Sequence, residues 1–254
     1  MHNPLLNHLN FAVMPETVTP YKSEETKKEQ VKTMFDRIAP RYDLLNRVLS
    51  FGVDIYWRNR AIRELRKYKP KQIIDVACGT GDFGIAALKL NPDKITGIDI
   101  SVEMLEKGNE KIKKKKLEDK IELVAGDSEN LQFETNTFDA CTVAFGVRNF
   151  ENLDKGLEEI NRVLKPGSPI AVLEFSSPKI FPVKQLYHFY FSTILPFAGR
   201  LLSKDAKAYT YLYESVKAFP EGDVFVGHLQ KAGFKNCYYK RLTFGICSLY
   251  IGEK

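Results

Sequence analysis

Beyond about residue 70 the chain alternates short apolar runs with stretches in which apolar residues return every three or four positions. The runs read QIIDVA, KITGID, IELVAG, FDACTVAF and PIAVLEF; helices are expected from Gly81, Ser101 and Leu153, with a loop and short helix before FDACTVAF. Strands alternating with helices at this rhythm form βαβ units and a parallel sheet with right-handed crossovers. The rhythm breaks near the end, where FKNCYYKRLTFGICSLYIGE holds two β-rich runs around a short RLTFG connection and predicts an antiparallel hairpin. The pattern predicts an α/β fold: a seven-stranded, mostly parallel, Rossmann-like sheet with a C-terminal antiparallel hairpin.

The segment before the sheet reads differently. Residues 1–22, with Pro15 and Pro20, show no period and are expected to be a flexible tail. Ser23 is a candidate N-cap for a helix in which Val31, Met34, Phe35 and Ile38 share a face, and Pro40 ends it. Further helical stretches are expected over about Leu44 to Leu49 and, capped by Asp54, to about Arg66. A helical, aromatic-rich insertion lies between Pro178 and Pro220. One domain over 23–254 is expected, with 23–69 as a helical lid and 178–220 as a substrate-side insertion.

Composition narrows the class. The 254 residues are 44% hydrophobic and 28% charged, as in an ordinary globular domain. Part of the net charge of +6 sits in the run Lys113 to Lys116, late in a predicted helix, where cations complement the helix dipole; this reads as a solvated face, and no nucleic-acid partner is expected. Cys78, Cys141, Cys237 and Cys247 lack metal-ligand spacing, and no secretory leader or long apolar run is apparent, so a cytoplasmic, reducing location without a metal is expected. The four histidines form neither a triad nor a ligand cluster.

Chemistry enters with DVACGTGDFG, Asp75 to Gly84, where Gly79, Gly81 and Gly84 have the spacing G-x-G-x-x-G. Such glycines permit a tight strand-to-helix turn and close approach of a ligand, and a side chain at Gly81 is expected to block that approach. The spacing fits a nicotinamide dinucleotide as well as other nucleosides. A pyrophosphate would sit at the start of the following helix, where this chain carries Asp82 beside Asp75; two carboxylates suit instead a cationic ligand without phosphate, such as S-adenosylmethionine. Asp99, ending the second strand and followed by Ile100, can accept from two ribose hydroxyls in either ligand class. Asp127 and Ser128, after the third strand, can meet an adenine.

The motifs DVACGTGD, GIDIS, AGDSENL, FGVRN and VLKPGSPIAVLEFS resemble class I methyltransferases. FDRIAPRYDLLNRVLSFGVDIYWR and FGVRNFENLDKGLEEINRVLKPG resemble more narrowly the menaquinone and ubiquinone biosynthesis C-methyltransferases (UbiE/MenG), from about Val31 onward. The resemblance implies that Thr80, Asp99, Asp127 and Ser128 contact S-adenosylmethionine, with Asp75, Gly79, Gly81, Ile100 and Ala144 in the same site. Two positions depart from the family's habit: Asp54, where His is common, and Ala144, where Ser is common.

The same resemblance implies methyl transfer to a ring carbon of a prenylated quinol such as a demethylmenaquinol, activated as its phenolate. Arg148 and Asn149 of FGVRN are then placed to stabilise the oxygen anion; an ion pair of Arg148 with Glu151 or Asp154 is the alternative. Tyr42 and Asp43 resemble lid residues, or serve as helix-boundary packing and a cap. Trp57 reads as helix packing. The insertion could line a pocket for a prenyl tail, bury against a second copy in a homodimer, or pack as a core helix pair. Flanking Lys179, Lys184, Arg200, Lys204 and Lys207 could touch anionic lipid head groups as a peripheral membrane contact.

Overall fold

The computed structural model describes residues 18–21, 23–194 and 206–254. Strands β1 (Gln72–Val76), β2 (Lys94–Asp99), β3 (Ile121–Ala125), β4 (Ala140–Ala144) and β5 (Pro169–Phe175) are parallel, and the hairpin strands β6 (Lys235–Leu242) and β7 (Cys247–Glu253) complete one sheet. The order is β3-β2-β1-β4-β5-β7-β6, with β7 antiparallel to β5. The chain winds outward from β1 to β3 and then returns to β4 on the other side. The order reverses between β1 and β4, and ligands of open α/β sheets bind in the crevice that such a reversal leaves beyond the strands' carboxyl ends.

Alternate residues of the strands feed opposite layers. Ile74, Val76, Val143 and Val172 pack under α6 (Leu153–Val163) and α9 (Asp223–Lys231). Ile73, Ile95 and Leu173 face α3 (Val53–Leu65), α4 (Asp82–Ala87) and α5 (Val102–Lys114). Above the carboxyl edge a third cluster joins α1 (Lys27–Ile38) to the insertion: Val31 and Met34 pack with Tyr187 and Phe191, and with Tyr209 and Tyr211 of α8 (Ala206–Ala218). Tyr187 lies on α7 (Val183–Phe189), which runs on into a π-turn at Tyr190–Ile194. The lid and the insertion, far apart in sequence, thus form one roof over the crevice.

Several boundaries differ from the sequence expectations. Helix α1 is capped by Thr26 in a capping box with Glu29, and Ser23 lies outside it. Helix α2 spans Tyr42–Leu49. Helix α3 begins behind Gly52, whose φ of +74° suits glycine; Asp54 lies inside the helix, buried against Arg58, and caps nothing. Ser101 caps α5 as expected, accepting from the Met104 N–H. The short helix expected before β4 is absent, and the chain turns through an Asp127–Asn130 bridge instead. Helix α9 was not expected. Most of the expected tail, 1–17 and 22, lies outside the described residues, but Tyr21 donates its N–H to buried Gln30, so 18–21 is held on α1.

Candidate active site

The turn after β1 starts the site. Ala77, Gly79 and Gly81 all have positive φ, and the Cys78 N–H donates to Ile98 of β2. Both oxygens of Asp99 are used: Oδ2 accepts from the Gly79 N–H (2.7 Å) and Oδ1 from the Ser101 N–H (2.9 Å). Each oxygen keeps a lone pair, which is what a vicinal diol needs. Burial pushes the Asp99 carboxyl above the usual range, against the pull of these backbone N–H groups. A narrow groove runs from Gly79 along Asp99, Ile100, Asp127 and Ser128 to Asn149.

Helix α1 covers this groove. Lys28 donates to Asp127 (2.7 Å) and lies 3.5 Å from Glu129. Lys27 donates to the carbonyls of Arg148 (2.9 Å) and Phe150 (2.8 Å), and its burial, helped by the Arg148 charge, lowers its pKa to about 8. Asp36 accepts from the Ser101 hydroxyl (2.6 Å). No sequence motif marks Lys27, Lys28 or Asp36 as site residues; the Thr26 to Glu29 capping box, which fixes where α1 begins, is the one local signal for them.

The remaining turn residues have other neighbours. Thr80 donates to Asp43 (2.5 Å) and accepts from Lys111 (2.9 Å), so the lid residue Asp43 sits on the glycine turn. Asp82 pairs with Lys111 (2.8 Å), Arg58 (3.5 Å) and Arg47 (3.9 Å). Burial would raise its pKa, but these cations hold it below the carboxylate range. Asp82 is therefore neutralised by its surroundings, which corrects the argument that it repels a pyrophosphate by free charge. Gly81 lines neither the groove nor the cavity beyond; a Cβ there would meet Leu123 of the core at 3.5 Å. Its φ of +78°, not ligand approach, accounts for the glycine. Gly79 faces the site, where a Cβ would come 3.8 Å from Tyr42.

Asp75, 1% exposed, stands behind the turn, accepting from the Thr142 hydroxyl (2.7 Å) and the Gly84 N–H (3.0 Å). Burial raises its carboxyl to about 7 despite those two bonds. An unfolded aspartate titrates near 3.9, so between about pH 4 and 7 the folded chain holds a proton that the unfolded chain has lost; stability is fullest below that window and falls as pH rises through it. Asp75→Asn removes the titration, and the Thr142 hydroxyl can turn to suit the amide. The variant is expected to flatten that slope, measured as urea midpoints between about pH 4.5 and 7.5; an unchanged slope would assign it to another group.

Beyond Tyr42 the groove opens into a cavity of about 670 Å³ between the sheet edge and the roof. Tyr42, Gly79, Ala144 and Phe145 border both spaces. Trp57 is buried as expected but also lines the cavity, donating its indole N–H to Thr243 (2.8 Å). Its ring meets Phe145 (5.8 Å) and Phe175 (6.0 Å). The β5–β7 register sets Phe175 opposite Cys247, which brings the hairpin connection, and so Thr243, to this edge.

Arg148 is paired, though not with the acids expected: its Nη1 donates to Glu174 of β5 (2.8 Å) and to the Phe145 carbonyl, and the two side chains are 7% and 0% exposed. Asp154 instead pairs with His228 and Lys231. Burial pushes the Glu174 carboxyl up, opposed by the Arg148 charge. Arg148 lines the cavity, yet its buried Nε has no partner. Asn149 donates to the Phe145 carbonyl (3.4 Å) and accepts from Tyr211 of α8 (3.1 Å). Tyr42 bonds Asn46, and burial raises its pKa.

The sequence of residues 23–254, which builds this groove and the aromatic cavity beside it, matches a known family. The chain belongs to the ubiE/COQ5 methyltransferase family. It is 49% identical over 240 residues to a demethylmenaquinone methyltransferase of Bacteroides fragilis, covering 94% of this chain and 98% of the relative. To a ubiquinone/menaquinone biosynthesis C-methyltransferase UbiE of Geotalea daltonii it is 46% identical, over 90% and 97% of the two chains. A SAM dependent methyltransferase from Aquifex aeolicus shares the fold, with a TM-score of 0.54 at 20% identity over 76% of this chain and 88% of that one. In this ubiE/COQ5 member the sheet edge and the lid form the junction, and the insertion walls the cavity beyond it.

Proposed function

We infer that this methyltransferase converts a demethylmenaquinol, or a closely related prenylated quinol, to its C-methylated product. The observation that carries the reading is Arg148, which lines an aromatic cavity with its buried Nε unpartnered, one residue from the groove that Asn149 lines. The names of the Bacteroides and Geotalea relatives support a quinone substrate. S-adenosylmethionine, whose sulfonium supplies an electrophilic methyl, fits the groove by the free lone pairs of Asp99. Asp127, Ser128 and Ile100 would border its adenosine, and Gly79, Thr80 and Asp75 its methionyl end.

The protein's share is positional. Transfer is an in-line displacement, in which an S–C bond breaks, a C–C bond forms at the quinol ring and one proton leaves the quinol. Tyr42 and Phe145 border both spaces and can hold the ring against the methyl donor. Arg148, fixed by Glu174, would turn its guanidinium edge to the oxygen that becomes anionic; Asn149, fixed by Tyr211, orders the backbone beside it. The aromatic walls would shield the reacting atoms from water once the substrate fills the cavity.

The test is transfer of labelled methyl from S-adenosylmethionine to a short-chain demethylmenaquinol and, in parallel, to a prenylated benzoquinol. Label in the naphthoquinol is expected; label in neither ends the reading, and label in the benzoquinol alone changes its substrate class.

The cavity mouth suits a substrate drawn from a bilayer. Phe51, Leu186 and Phe189 border the cavity and are 83%, 63% and 56% exposed, with Phe181 at 78% close by in sequence. Lys179 precedes α7 and Lys184 lies in its first turn, both exposed, whereas Arg200 and Lys204 lie outside the described residues. No helix among the described residues is long and apolar enough to cross a membrane, so contact would be peripheral. Phe189→Asp is expected to cost about 1.5–3 kcal/mol of vesicle binding. Sedimentation with vesicles containing anionic phospholipid reads this, and a wild-type chain that stays in the supernatant removes the proposal.

A further inference from the structure

Among the described residues, four buried side-chain polar atoms have no hydrogen-bond partner, and two of them, Arg148 Nε and the Tyr187 hydroxyl, belong to residues that line the same cavity. The other polar groups named there are engaged: Trp57 with Thr243, Tyr211 with Asn149, Thr80 with Asp43. A buried hydroxyl without a partner costs folding free energy that phenylalanine at the same place would not cost. Phe189 and Phe191 stand two and four residues further along, so the segment accepts phenylalanine. The hydroxyl therefore contributes nothing to the hydrogen bonding of the fold itself.

The ring that carries it is held firmly. Tyr187 is 6% exposed and stacks on Phe191 at 4.3 Å between centroids; Phe191 meets Phe175 at 5.9 Å, next to Glu174, the partner of Arg148. We propose that the Tyr187 hydroxyl donates a hydrogen bond to an oxygen of the bound quinol, as a second polar contact beside Arg148 in an otherwise apolar cavity. Burial and the negative charges of Glu221 and Glu174 raise the pKa of Tyr187, against the Arg148 charge, so it remains a donor and does not serve as a base. A quinol offers two oxygens on one flat ring, and two donors in one cavity fix its rotation as well as its depth, which decides the carbon that faces the methyl. The inference rests on the quinol reading of the cavity.

The test compares wild type with Tyr187→Phe in four measurements: turnover of a short-chain demethylmenaquinol, its pH dependence, anaerobic titration with tail-free 1,4-naphthoquinol in the presence of S-adenosylhomocysteine, and thermal melting. Loss of one donor to an oxygen anion is expected to lower kcat by on the order of ten- to a hundredfold and to weaken naphthoquinol binding. The acidic limb of the rate profile should move to higher pH, because the quinol ionises less readily without the donor. S-adenosylhomocysteine affinity should stay within about twofold, and the melting temperature should hold or rise because an unpaired buried hydroxyl has gone. A variant with wild-type kcat and naphthoquinol affinity overturns the proposal, as does one whose main loss is in melting temperature or nucleoside affinity. If the wild type methylates no quinol yet Tyr187→Phe still weakens naphthoquinol binding, the functional reading fails and the Tyr187 contact stands; if the wild type binds no naphthoquinol, both fall.

Discussion

Arg148→Lys is expected to lower kcat by on the order of a hundredfold to a thousandfold, about 3 to 4 kcal/mol, while S-adenosylhomocysteine affinity stays unchanged. Arg148 Nη1 already serves Glu174 and the Phe145 carbonyl, so the guanidinium divides its donors between the fold and the cavity. A lysine ammonium can satisfy Glu174, but it is a single point and cannot also reproduce the planar edge that Arg148 carries beside the cavity. The substitution is chosen to spare the fold. Arg148→Met would leave Glu174, at 0% exposure, as an unpaired buried acid and cost about 3–5 kcal/mol of stability, masking any catalytic effect. Single-turnover rates with labelled methyl donor, alongside calorimetry, separate the two roles. A quinol whose hydroxyl ionises more readily should recover part of the loss. If the variant instead loses nucleoside affinity at unchanged kcat, Arg148 belongs to the cofactor groove or the scaffold, and the anion-stabilising role is lost even though the family assignment remains.

What the sequence made legible follows from how local each signal is. Strand β5 runs from Pro169 to Phe175, the span of the PIAVLEF run, because a central parallel strand is buried on both faces and writes a continuous apolar run. The hairpin and the Ser101 cap were equally local. The setting of Asp82 is not legible from the turn, because its charge is balanced by Lys111, 29 residues on, and by Arg58 and Arg47 from the lid, which no turn motif reveals. Arg148 was assigned acids on the next helix, but the sheet brings it Glu174, 26 residues away, inside a run that reads as plain strand. Tyr187 was hidden for another reason. In an insertion so rich in Phe and Tyr, only the accounting of hydrogen bonds distinguishes one hydroxyl that lacks a partner from those that have one. The Thr26 to Glu29 box, in contrast, is local and legible in the sequence, and it places the helix cap three residues beyond Ser23.

Asp99→Ala is expected to weaken nucleoside binding severely, by one or two charge-assisted hydrogen bonds worth about 1.5 to 3 kcal/mol each. The structure adds a second route to loss. The same carboxylate receives the Gly79 and Ser101 N–H groups, so its removal also frees the turn whose backbone approaches the ligand. A simple drop in affinity would not separate ribose recognition from turn support. Titrating wild type and variant with S-adenosylhomocysteine and with its 2′,3′-dideoxy analogue does, because the diol contributes only if Asp99 accepts from it. The wild type should prefer the diol by at least tenfold, and the variant should lose that preference while binding both ligands more weakly for want of an ordered turn. Equal discrimination in the two proteins would mean that the diol is read elsewhere. Asp99 would then be a brace for the glycine turn, as Asp75 is from behind, and the groove would have to recognise its nucleoside through Asp127 and Ser128 alone.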